Sequence, residues 1–296
     1  KFSPEHELFR DSVRRFVDVE IAPYVNAWDE AGTFPCELYA RAAAIGLLGL
    51  GYPEACGGTP ADTWYRLIAT EEIARAGSGG LMASLFSHNI GLPPIVAHAS
   101  EALRQRVIPD VLAGRKIAAL AITEPGGGSD VARLACRARR DGAHWVIDGE
   151  KTFITSGMRA DWITLAVRTG GNGAAGISLV AVPGDAPGLE RSELAKMGWW
   201  CSDTAQLRFA GCRVPADHLI GAENAGFRMI MQNFNGERLL MAAGACTFAQ
   251  VCHDEALAWA RQRRTFGSAL VEPQVLRHTL MDMRMRIAST TAWLHA

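Results

Sequence analysis

At residue 118 the spacing of apolar residues changes period, and that change limits what the chain can fold into. Before it the pattern is helical. Leu8, Val13, Phe16, Val17 and Ile21 form an amphipathic stripe, interrupted at Pro23 and again at 32–35. A second helix is predicted over 35–46, ending at Gly46, and after a Gly/Pro break at 51–58 further helices over 60–76, 80–97 and 100–113. From 118 onward the apolar runs are short and strand-like, at 145–147, 162–168, 177–182 and 205–209, with Asp148-Gly149 as a hairpin signal. Helical spacing returns after 221–226 and continues to the end. The order helix, strand, helix predicts an α+β chain: a helical domain over 1–117, a small antiparallel barrel or sandwich over 118–225, and a helical domain over 226–296. No G-x-G-x-x-G follows a strand, so a doubly wound nucleotide-binding sheet has no support. The pattern from Arg284 to Ala296 carries neither cap nor breaker, so the last domain is expected to be incomplete.

At 296 residues the chain is long for one core, and with 49% hydrophobic residues it can bury more than one. Thirty basic and 31 acidic residues leave a formal charge of −1, which gives no footprint for nucleic acid. No apolar run reaches the length of a membrane span, and no signal-peptide pattern opens the sequence. The seven cysteines are scattered and never paired as C-x-x-C, which reads as reduced cytosolic thiols rather than a disulfide framework or structural zinc. The eight histidines show no ligand spacing, and no metal is expected.

Residues 121–130 read Ala-Ile-Thr-Glu-Pro-Gly-Gly-Gly-Ser-Asp. Glycines behind a proline let the backbone approach a planar or anionic ligand closely, and Thr123 and Ser129 supply donors there. A bound cofactor suits such a loop, and so does an ordinary Pro-Gly turn between strands. Further along, Glu237 is followed at helical spacing by Leu240, Met241, Gly244 and Phe248, which puts its carboxylate on an apolar face. A buried carboxylate with a raised pKa is one reading. The other is a first-turn glutamate capped by Asn235 and favoured by the helix dipole. Glu71 and Glu72 read as a solvated helix face.

Three motifs in fixed order carry a family resemblance. Thr123-Glu-Pro-Gly-Gly-Gly-Ser-Asp130, Gly149-Glu-Lys-Thr-Phe-Ile-Thr-Ser-Gly157, and Arg263-Arg-Thr-Phe-Gly267 with Gln274 downstream resemble the acyl-CoA dehydrogenase family. The resemblance implies an FAD enzyme that desaturates an acyl-CoA thioester to the trans-2-enoyl-CoA and passes electrons to an electron-transfer flavoprotein. It implies that Thr123 bonds the pyrimidine side of the flavin and that Ser129 touches both flavin phosphate and the CoA arm. Phe153 and Thr155 match an aromatic–x–Thr pair that packs on the flavin and bonds its N5 region; many relatives carry Trp at the first position. The alternative for Phe153 and Ile154 is strand core. Arg263, Thr265, Phe266 and Gln274 match residues that reach the FAD pyrophosphate and adenosine from a neighbouring subunit, so a homo-oligomer, a dimer of dimers, is implied; a solvated basic helix end is the alternative. Ser202 and Thr204, in the loop 198–204, correspond to donors beneath the flavin phosphates. The family's base is a Glu, and Glu237 fits the placement seen in isovaleryl- and long-chain-type members. Arg238 beside it resembles a CoA-contacting arginine. A ribityl hydroxyl and a backbone N–H would polarise the thioester carbonyl. The location implied is cytoplasmic, or the mitochondrial matrix in a eukaryote. Two rival functions share the resemblance: an acyl-CoA oxidase or flavin monooxygenase, and a non-catalytic flavin- or CoA-binding member.

Overall fold

A computed structural model describes residues 2–296. Eight helices come first: α1 (Pro4–Glu20), α2 (Val25–Ala31), α3 (Glu37–Ala44), α4 (Thr63–Ala74), α5 (Gly79–Leu85), α6 (His88–Gly91), α7 (Pro93–His98) and α8 (Glu101–Leu112). The single helix predicted over 80–97 is broken into three. Pro93 and Pro94 lack N–H donors and clash with the preceding turn, so the chain restarts there. In α1 the stripe buries Val13, Phe16 and Val17, but Leu8 is 71% exposed.

The strands are β1 (Ala118–Ala121), β2 (Arg137–Asp141), β3 (His144–Thr155), β4 (Trp162–Arg168), β5 (Ile177–Pro183), β6 (Leu189–Glu193), β7 (Thr204–Pro215) and β8 (Leu219–Ile220). They make one sheet in the order β6-β7-β3-β2-β4-β5-β8. The sheet is mostly antiparallel, but β1 runs parallel to β4, and β2 meets β4 in parallel through Arg137 and Arg168. Nearly every residue of β4 and β5 is buried because both faces are covered. Trp162, Ala166, Ile177, Leu179 and Ala181 pack into the core shared with the N-terminal helices, while Ile163, Leu165, Val167, Val180 and Val182 face the sheet's own core.

Helix α9 (Gly226–Gln262) then runs across the molecule, a short hairpin of β9 (Arg264–Thr265) and β10 (Ser268–Ala269) follows, and α10 (Gln274–Leu294) packs back on α9. Gly244 lets α9 approach the N-terminal helices: a Cβ there would stand 2.9 Å from Met82 and 3.7 Å from Thr70. Among the described residues no helix is long and apolar enough to cross a membrane.

The expected hairpin at Asp148-Gly149 is not there. Both residues lie inside β3, and the turn that reverses the chain is Gly142-Ala143, between paired Asp141 and His144. Asp148 instead accepts the Gly211 N–H at 2.7 Å, where β7 carries an extra residue. Gly149 has φ 144°, and a Cβ would fall 2.7 Å from the Cys136 Cα, so a glycine is required by close approach rather than by a turn.

One ion pair ties this strand to the glycine loop. Lys151 is fully buried, and its Nζ donates to Glu124 Oε1 at 2.8 Å and to the Ile122 carbonyl at 2.9 Å. Glu124 also accepts the N–H groups of Ala135 and Cys136 at 2.6 and 2.9 Å. Burial pushes the Glu124 pKa up, but the Lys151 charge and these hydrogen bonds outweigh it and hold the carboxyl below its ordinary value. Lys151→Met leaves a charged, half-buried carboxylate without its cation, an expected loss of about 3–5 kcal/mol in urea unfolding at neutral pH. The folded pKa of Glu124 is depressed, so its contribution is present above the unfolded pKa and lost as pH falls through the folded one. The gap between wild type and variant should therefore shrink in acid; a gap below about 1 kcal/mol at neutral pH would show that the pair does not hold the loop.

Candidate active site

The glycine loop leaves β1 and doubles back, with Glu124 and Gly127 bonded to each other through both backbone groups at 3.0 Å. Its base is fixed to β3: Thr152 N–H donates to the Thr123 carbonyl at 2.9 Å. Beyond Glu124 the loop stands in the open. Residues 125–130 are exposed, and Cβ atoms on Gly126 or Gly127 would meet nothing within 4 Å. Among the described residues the hydroxyls of Thr123, Ser129 and Thr155 take part in no hydrogen bond.

Across from the loop, β3 is bulged. Lys151 pairs with Leu207 and Ile154 with Ala205, so β3 carries one residue too many, and Phe153 there has φ 59°. The bulge turns the Phe153 ring out to 70% exposure while Ile154 stays 2% exposed in the core. The strand-core alternative therefore holds for Ile154 and fails for Phe153. Ser156 and Trp199, with φ 58° and 57°, are further non-glycine residues in the left-handed region around the same place. Unpartnered hydroxyls beside an exposed aromatic ring, on a backbone held in strained conformations, fit a flat polar ligand such as a flavin.

Next to this surface lies a cavity of about 250 Å³ between α4, α5, α6 and α9. Thr155 and Trp199 border it from the sheet side; Thr70, Met82 and Phe86 line it from the N-terminal helices; Leu240 and Met241 come from α9. Glu237 opens into the same space. Burial pushes its pKa up, opposed by Arg238. Glu237 lies well inside α9, about 16 Å from its start at 1.5 Å per residue, so Asn235 is no cap and the dipole reading of a first-turn glutamate does not apply. Arg238 is exposed on the neighbouring face, with its guanidinium 5.8 Å from the Phe234 ring.

The other expected site residues are not all brought to this surface. Ser202 is 1% exposed, with its hydroxyl accepting from Ser84 at 3.0 Å, so it is turned into the protein rather than toward a phosphate. Thr204 begins β7 opposite Thr155. Glu72, read as solvated, is 2% exposed, and Arg10, Arg14 and Arg75 hold it at 2.8–3.2 Å. Arg263, Thr265, Phe266 and Gln274 gather at the β9–β10 hairpin, about 39 Å along α9 from Glu237. Phe266 and Gly267 have φ of 49° and 84° and form a two-residue turn, with the Phe266 ring fully exposed. Phe86 and Arg66 line the cavity without any sequence signal that singles them out; Trp199, from the loop 198–204, packs where a Cβ on Gly79 would stand 2.3 Å away.

The chain matches three family domains in order: "Acyl-CoA dehydrogenase, N-terminal domain" over residues 3–115, the middle domain over 119–212 and the C-terminal domain over 224–296. It is 36% identical over 297 residues to the mitochondrial long-chain specific acyl-CoA dehydrogenase of Rattus norvegicus, covering 99% of this chain and 69% of that protein. Among solved structures it is similar to a probable acyl-CoA dehydrogenase from Mycobacterium abscessus, with a TM-score of 0.96, 47% identity, and coverage of 99% of this chain and 78% of the other. A glutaryl-CoA dehydrogenase from Mycobacterium smegmatis in complex with FADH2 matches with a TM-score of 0.92 and 27% identity over 99% of this chain and 75% of the other. With all three domains matched in sequence and in fold, the chain belongs to the acyl-CoA dehydrogenase family.

Proposed function

We propose that this chain uses FAD to desaturate an acyl-CoA thioester between its α and β carbons, giving the trans-2-enoyl-CoA, with Glu237 as the base. The observation that carries this reading is a carboxylate with a raised pKa, in a largely apolar cavity, beside a surface of unpartnered donors. FAD supplies, when bound, the acceptor for the hydride that leaves the β carbon. Thr123 and Thr155 are the donors for the flavin ring, and Phe153 covers it. We assign Ser129 to the flavin phosphate and the CoA arm and Arg238 to the CoA arm, and the exposure of both residues supports this. The cavity walls desolvate Glu237 in part, which makes its carboxylate a better base for the α-proton. An electron-transfer flavoprotein is the proposed acceptor, and the reaction is placed in the cytoplasm or the mitochondrial matrix.

Glu237→Gln keeps the shape and removes the base. Anaerobic bleaching of the flavin by acyl-CoA should slow by about 100- to 10,000-fold; full activity would move the base elsewhere. Reduction by wild type should rise with pH through the raised pKa of Glu237. The stability effect has the opposite sense. A raised folded pKa penalises the ionised form, so stability is full below the ordinary value of 4.5 and falls as pH rises through the folded value. Glu237→Gln should therefore melt higher than wild type at neutral pH and at the same temperature below pH 4.5. Fast reoxidation of the reduced enzyme by air, with peroxide formed, would replace the dehydrogenase reading by an oxidase.

The same proposal gives Arg263, Thr265, Phe266 and Gln274 to the cofactor of a second copy. Two features support it: their distance from Glu237 within one chain, and a helix α10 with no buried residue and exposed Val275, Met281, Met285 and Trp293. Arg263→Gln should weaken flavin retention by about 10- to 100-fold, the range of a charged hydrogen bond. Phe266→Asn suits the turn better than Phe and should leave the chain folded while lowering both flavin content and oligomer stability in sedimentation. A variant with unchanged flavin binding and assembly would return these residues to a solvated helix end.

A further inference from the structure

Arg168, the last residue of β4, is a buried cation that the reading above does not use. It is 8% exposed and pairs with no carboxylate among the described residues. Four backbone carbonyls meet it instead. Its Nε donates to Leu134 at 3.0 Å and its Nη2 to Ala132 at 2.7 Å, while Nη1 donates to Gly171 at 2.6 Å and to Gly173 at 3.1 Å. A guanidinium without a counter-charge is expensive to bury, but its planar fork can reach carbonyls of two separate segments at once.

One of those segments is the return limb of the glycine loop. Ser129 stands on the exposed part of the loop, three residues before Ala132, with its hydroxyl in no hydrogen bond among the described residues. The chain then makes the single helical turn Val131–Arg133 and enters β2 at Arg137. Val131 and Leu134 sink into the core shared with the N-terminal helices, which sets the depth of the limb. Apolar contacts have no direction; the hydrogen bonds from Arg168 decide how the limb is turned. Glu124 grips the same limb through the N–H groups of Ala135 and Cys136. The end of β4 is itself anchored. The Arg168 N–H donates to the Cys136 carbonyl at 2.7 Å, and the Thr169 hydroxyl bonds Ser178 at 2.6 Å and Asn224 Oδ1 at 3.0 Å.

We infer that Arg168 is a positioning residue for ligand binding: by holding the carbonyls of Ala132 and Leu134 it sets the direction in which Ser129 presents its hydroxyl to the flavin phosphate and the CoA arm. The inference rests on the assignment of Ser129 under the acyl-CoA dehydrogenase reading and names what keeps that residue in place. Lysine in place of Arg168 keeps the charge and loses the fork, so that exchange separates geometry from charge.

The test uses the flavin-loaded enzyme. Calorimetry gives the Kd for CoA and for octanoyl-CoA, and anaerobic bleaching gives the rate of flavin reduction at saturating octanoyl-CoA. Ser129→Ala should weaken binding by about 3- to 10-fold, the range of one hydrogen bond. Arg168→Lys should weaken it by a similar factor, with the saturated rate within about twofold of wild type. In the double variant the loss should fall short of the product of the two single losses, as for residues acting through one network. Val167→Ala is the control, since its side chain lies in the sheet's own core. It should lower the melting temperature and leave both Kd values unchanged. Losses that multiply in the double variant, or a Kd shift in Val167→Ala as large as in Arg168→Lys, would overturn the inference and leave Arg168 a residue of the fold alone. Arg168→Gln, which retains a side-chain N–H donor, repeats the comparison if the lysine variant does not fold, and failure of both to fold would overturn it equally. If no acyl-CoA reduces the flavin, the dehydrogenase reading falls, while the Kd values for CoA still decide the role of Arg168. A wild type that binds no CoA would overturn both.

Discussion

Lys151 carries a charge into a place without water, and the geometry around the proposed flavin surface depends on how that charge is met. Desolvation pulls its pKa down, and the Glu124 charge and hydrogen bond oppose that pull, with the Ile122 carbonyl as a second acceptor. Glu124 in turn draws in the backbone of 135–136, on the way to β2. One buried ion pair therefore fixes the base of the glycine loop, the centre of β3 and the entry to the next strand. Everything distal to it can be open: exposed glycines, free hydroxyls and an aromatic ring held out by a bulge. A rigid root allows an exposed surface to keep its shape.

Helix α9 does the corresponding work for the chemistry. It is long enough to touch the N-terminal helices at Gly244, to bring Glu237 to the cavity and to carry the β9–β10 hairpin far from both. Positions along one helix and the hairpin after it are thereby divided between two jobs: a carboxylate facing a cavity of its own chain, and a strained turn presenting Phe266 outward. In neither place does the residue suit its local backbone alone. A half-buried glutamate and a left-handed phenylalanine both cost stability, and both are explained by what they face.

The order of helix, strand and helix was legible because period is a local property of the backbone; β4 begins and ends where the apolar run 162–168 does. The apolar face beneath Glu237 was legible for the same reason. Turn signals misled where a glycine served close packing, as at Gly149, and so did charge where three arginines converge on Glu72. Ser202 read as a donor but is turned inward by Ser84, from a segment more than a hundred residues earlier. By itself the sequence determined the elements, the flavin-loop motifs and the helical face of Glu237. Only the tertiary structure decided which side chains share a space: that Thr155, Glu237 and Arg66 border one cavity, that Phe153 is exposed, and that Lys151 is sealed. Periodicity says which face of an element is apolar, but burial and pairing depend on what another segment brings to that face.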